Sequence, residues 1–88
     1  MTIIRFNEIV EQIIKSYLQN YKFDLFFYSL EGAINAIEEV DLSLLKFLRD
    51  LINRLETNKY LLEDEKLIEQ TINIIQELQI KLKEYVRN

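Results

Sequence analysis

The side chains able to do chemistry in this sequence are almost all carboxylates. They cluster three times: Glu8 with Glu11, Glu38 with Glu39, and Glu63-Asp64-Glu65. Paired carboxylates carry out acid–base catalysis when their environments push their pKa values apart. On helical surfaces, runs like these are more simply solvated faces or first-turn acids. Glu63–Glu65 also falls well short of a calcium loop, which needs about twelve residues and a central glycine.

The partners that such carboxylates would need are missing. The chain has no histidine, no cysteine and no tryptophan. That excludes triads built on histidine or cysteine, and zinc sites of the usual nitrogen and sulfur kind. Di-iron carboxylate sites carried on helices need Glu-x-x-His pairs, so they fail too. Ser16, Ser29 and Ser43 are the only serines. Without histidine they would need a lysine base, and no such arrangement stands out. A single glycine, Gly32, cannot build a phosphate-cradling loop. The expectation is a protein that is not an enzyme and that carries no cofactor and no metal.

The basic residues make an equally weak case for phosphate. Fifteen acids against eleven bases give a net charge of −4, a poor match to a nucleic-acid backbone. Lys46, Arg49 and Arg54 are interleaved with Asp50 and Glu56 rather than clustered. Lys81, Lys83 and Arg87 gather near the end, where they complement a helix dipole. The acidic surplus lies in residues 1–44, with seven acids and three bases, whereas residues 45–88 carry eight of each.

The elements that must hold these residues are helical. The chain has no proline, so the turn residues that a sandwich or barrel needs are nearly absent. Fourteen leucines and thirteen isoleucines supply enough apolar surface to rule out disorder. The longest unbroken apolar run is Leu25-Phe26-Phe27-Tyr28, far below the ~18 residues of a membrane span. No signal-peptide core follows Met1. With no cysteine, a cytoplasmic location is expected. The fold class is all-α, with residues 1–88 forming one small antiparallel helical-bundle domain.

Apolar spacing outlines the helices. Ile3, Phe6, Val10, Ile13, Ile14, Tyr17, Leu18 and Tyr21 share one face, with Thr2 or Asn7 as the cap. Residues 20–24 read as a connection, with Asp24 as the next N-cap. Phe26, Phe27, Leu30, Ala33, Ile34 and Ile37 make a second stripe, and Leu44, Leu45, Leu48, Leu51, Ile52 and Leu55 a third. Residues 56–60 read as another connection. A last helix starts within 61–65 and runs to about Val86, with Leu67, Ile68, Thr71, Ile74, Ile75, Leu78, Leu82, Tyr85 and Val86 inward.

Residues 25–56 keep heptad spacing, which would allow one rod of ~48 Å at 1.5 Å per residue. Only Asp41 breaks the seam. An unpaired carboxylate is expensive in a core but favoured at an N-cap. Val40 and Leu45 flank it at the positions of a hydrophobic staple. A break near 39–42 is therefore preferred, giving four helices. Three helices with a long central one is the alternative.

The second helix has another greasy side. Leu25, Tyr28, Gly32 and Ala36 recur at spacings of 3, 4 and 4, opposite Leu30. Glycine inside a helix costs up to ~1 kcal/mol relative to alanine, and close approach by another helix is one physical reason to keep it. That helix is either central in its own bundle, or it offers these four residues as an interface. Leu62, Ile72 and Ile80 are further apolar residues off the core stripe. Six of the ten aromatics crowd between Tyr17 and Tyr28.

The leading expectation is a small acidic protein-interaction module, an adaptor, chaperone or regulator. It would self-associate as a homodimer, bind a partner with a basic patch, and bind neither nucleic acid nor membrane. The second is an inhibitor or immunity-type protein that occludes a toxin or regulator, an analogy of size and class only. Nucleic-acid binding ranks third.

Overall fold

Four runs of apolar residues at helical spacing become four helices in the computed structural model, which describes residues 1–38 and 40–86. They are α1 (Ile3–Asn20), α2 (Phe23–Ala36), α3 (Leu42–Leu61) and α4 (Asp64–Val86). Connections of two, five and two residues leave room only for antiparallel neighbours. Each helix packs on two others: α1 on α2 and α4, and α3 on α2 and α4. No strand occurs among the described residues, and none of their helices is long and apolar enough to cross a membrane.

The core is one continuous apolar cluster along the axis. Phe6, Val10, Ile14 and Tyr17 come from α1, and Phe26, Phe27, Leu30, Ala33 and Ile34 from α2. Leu44, Leu48, Leu51, Ile52 and Leu55 face them from α3, with Ile74, Ile75, Leu78 and Leu82 from α4. Thr71 is the buried polar exception; its hydroxyl donates to the Leu67 carbonyl one turn back, at 2.7 Å. Two of the expected inward positions are not in this core. Leu18 and Tyr21 are exposed. Tyr21 lies beyond the end of α1, where the helical 100° progression no longer governs direction, and Leu18 sits on the flank of the stripe.

Asp41 ends the heptad seam by capping. Its Oδ1 accepts the Ser43 N–H and the Ser43 hydroxyl, each at 2.7 Å. Val40 and Leu45 pack against the core on either side of it. The molecule is 37 Å along its longest axis, too short for a 48 Å rod. Thr2 caps α1, its side chain accepting from Arg5 N–H at 3.2 Å.

Two expected boundaries move. Asp24 does not cap α2: Lys22 holds that position without a side-chain bond, and Asp24 lies in the first turn. The connection is only Tyr21 and Lys22. Residues 56–60 are not a connection either, because α3 continues to Leu61. Nothing in that polar stretch forbids a helix, since it holds neither glycine nor proline. Glu39, Arg87 and the side chain of Val86 fall outside the described residues, so the Glu38–Glu39 pair and the basic end are seen only in part.

The hydrogen bonds from Ser43, hydroxyl first and then N–H, hold the Asp41 carboxyl below its usual range, against a small opposing effect of desolvation. The Leu44 N–H and Lys81 add to the lowering. Arg54, bidentate at 2.9 and 2.7 Å, does the same for Glu77. Depressed carboxyl pKa values stabilise the fold above the ordinary carboxylate range, and that stability is lost as pH falls through the lowered values. Asp41→Ala is expected to cost about 1 kcal/mol in urea unfolding at neutral pH, and Asp41→Asn much less. The gap between wild type and Asp41→Ala should narrow by about pH 2, where the cap is protonated.

Candidate interaction surface

The outward side of α2 follows from ring packing. With α1 and α3 as its neighbours, the side opposite Leu30 meets no element of the chain. Leu25 is 54% exposed and Tyr28 66%, and Gly32 and Ala36 are exposed as well. All four residues singled out by spacing therefore share one uncovered face. A methyl group added at Gly32 would meet nothing within 4 Å. The glycine is not required by the chain's own packing, nor by its backbone, since no glycine has positive φ. At the lower end of the strip the Ala36 carbonyl accepts from the Met1 ammonium at 3.3 Å.

The upper end of the strip runs into a wider apolar surface. Here α1 stops, α2 starts, α3 stops and α4 starts. Nine large apolar or aromatic side chains are exposed among the described residues, and six of them sit at this end: Leu18, Tyr21, Leu25, Tyr28, Tyr60 and Leu61. Tyr60 is 85% exposed and Leu61 75%. A groove of about 240 Å³ joins Tyr28 to Tyr60, with Phe23 and Phe27 at its base. A larger cleft of about 590 Å³ lies between the two connections, walled by Tyr17, Tyr21, Phe23, Leu25, Leu67 and Ile68.

Aromatic packing supports this surface from below. Phe23 stacks on Phe27 at 6.0 Å, and Phe27 meets Tyr28 edge-on at 5.2 Å. Tyr17 tilts against Phe26 at 4.9 Å and takes the Tyr21 ring edge-on at 5.7 Å. Lys59 pairs with Asp24 and lies 5.4 Å from the Phe23 ring centre, tying the last turn of α3 to the first turn of α2.

Tyr21 holds the left-handed conformation, φ 53° and ψ 31°, with its N–H donating to the Tyr17 carbonyl at 2.7 Å. Glycine is the usual residue there, and a side chain costs on the order of 1–2 kcal/mol. Its ring contact with Tyr17 offsets part of that cost.

Spacing alone located Leu25, Tyr28, Gly32 and Ala36. It missed Tyr60 and Leu61, because a polar stretch read as a loop gave them no face. Continuation of the α3 seam from Leu55 to half-buried Asn58 and Leu62 was the signal available.

The rim is acidic. Residues 22–31 and 56–66 hold six acids (Asp24, Glu31, Glu56, Glu63, Asp64, Glu65) against three bases (Lys22, Lys59, Lys66). This quarter of the chain thus carries net −3 of the total −4. Lys59 is engaged by Asp24 and Lys66 by Glu69. Among the described residues Glu56, Glu63, Asp64 and Glu65 make no ion pair.

No protein-family model, no curated protein and no solved structure matches the chain. What this surface does has to be read from its own chemistry.

Beneath the cleft the Tyr17 hydroxyl is buried without a hydrogen-bond partner of good geometry, although Thr71 lies beside it. Burial raises the phenol's pKa, Thr71 opposes this, and Tyr21 adds to it. The folded state therefore holds this proton more tightly than the unfolded chain does. The corresponding stability is intact below the ordinary value of 10.0 and is lost as pH rises through the raised one. Tyr17→Phe removes a buried unpaired hydroxyl, so it should leave stability unchanged or raise it by up to about 1 kcal/mol at neutral pH. It should also flatten the loss above about pH 10, as followed by chemical unfolding across pH.

Proposed function

We propose that the chain is a non-enzymatic protein-interaction module that self-associates through the outer face of α2. Gly32 is the observation that carries this reading. A glycine in mid-helix destabilises its own fold, and nothing in that fold approaches it. Close contact with a second helix gives it a purpose. Leu25 and Tyr28 supply apolar contact beside it, and tyrosine is a favoured interface residue. The strip also carries no basic side chain: α2 has only Asp24 and Glu31 as charges, both off this line. Two such faces can meet without burying a charge at their centre.

The module is read as an adaptor, chaperone or regulator working in the cytoplasm, a compartment that suits a chain without cysteine. Net charge −4 favours a partner with a basic patch over a nucleic acid.

Light scattering after size exclusion tests the pairing. The wild type is expected at twice the chain mass of 10.7 kDa. Gly32→Leu should remain helical by circular dichroism but elute as a monomer. Gly32→Ala should raise the stability of the dilute, unpaired chain by about 0.5–1 kcal/mol. A wild type that stays monomeric at every accessible concentration, or a Gly32→Leu variant that still dimerises, contradicts the proposal.

A further inference from the structure

We infer that the cleft between the α1–α2 and α3–α4 connections receives a basic amphipathic segment of a partner protein. The inference rests on reading the chain as a protein-binding module, and it assigns the chemistry of what is bound. The cleft has an apolar wall, with Tyr21, Leu25 and Leu67 among its residues, and a volume of about 590 Å³ that accommodates large side chains. Tyr60 and Leu61 stand exposed on the neighbouring last turn of α3. These features call for apolar anchors on the occupant.

The rim fixes the charge of that occupant. Net −3 within residues 22–31 and 56–66 surrounds the apolar wall, and four of the carboxylates have no ion partner among the described residues. Lysine or arginine flanking the apolar anchors would meet them. A second copy would bring the same negative rim against this one, and anionic lipid would be repelled in the same way. Charge thus separates this end from the uncharged strip around Gly32, which is suited to self-association.

The probe is a short amphipathic helical peptide of leucine and lysine, with a leucine–glutamate peptide of the same pattern as control. Amide NMR titration of the full chain reads where each binds. The leucine–lysine peptide is expected to shift signals around Tyr21, Leu25 and Tyr60, with affinity falling as salt rises. Glu56→Gln/Glu63→Gln/Glu65→Gln and, separately, Tyr60→Ser should each weaken it about tenfold. Tyr60 is exposed enough that its loss leaves the fold intact. Gly32→Leu should bind as the wild type does.

Equal binding of the leucine–glutamate peptide overturns the inference. So do shifts scattered over the outer faces of α1 and α4, or an affinity indifferent to both variants. Cleft shifts produced by raising the chain's own concentration, or by anionic vesicles, would give the site to a second copy or to lipid and would also overturn it. If the peptide misses the cleft while light scattering still shows Gly32-dependent pairing, the inference fails and the proposed function stands. The reverse pattern removes the pairing and leaves the cleft.

Discussion

A carboxylate cannot lie unpaired in an apolar seam, and the architecture turns on that constraint at Asp41. The seam that runs through α2 and α3 is otherwise continuous in its spacing. On one unbroken helix Tyr28 and Tyr60 would be separated by about 48 Å. Capping by Asp41 stops the seam, folds α3 back along α2, and brings these two tyrosines to the same groove. Lys59 then reaches Asp24 and Phe23 across the two helices. The apolar end of the molecule is therefore assembled by a break at the opposite end.

Packing explains why this apolar surface is left over. In a ring of four helices each one covers two neighbours, and its outward side stays open. For α1, α3 and α4 that side is mostly polar. For α2 it carries Leu25, Tyr28, Gly32 and Ala36. A small domain hides a smaller share of its surface than a large one does, yet exposed apolar side chains need not gather. Here six of nine gather at one end, around a cleft with an acidic rim. Strain at Tyr21 and the helical glycine lie on the same surface. Two local departures from stability and one apolar cluster thus coincide, which is the pattern expected where selection serves binding.

Much of the fold was legible because helical periodicity depends on a single angle. The stripes of α1 through α4 account for every buried apolar residue of the core, and the carboxylate at Asp41 signalled the break. Boundaries were harder. Asn58 and Lys59 resemble loop residues in composition, but without glycine or proline the helix runs past them, held by Leu55 and Leu62. Tyr21 illustrates the opposite case: its left-handed backbone is set by how α1 hands over to α2, which no stripe encodes. The α2 strip could be read because it lies on one helix. The cleft could not, since it joins residues from four helix ends whose proximity comes only from the packed bundle.

Site-specific photo-crosslinking in the cell that makes the protein tests most directly whether this surface is covered by another molecule. A photoreactive phenylalanine analogue at position 60 is compared with one at position 73, an exposed site on α4. The account predicts a discrete protein adduct from position 60 and none from position 73. No adduct from position 60, or the same adducts from both positions, would contradict it.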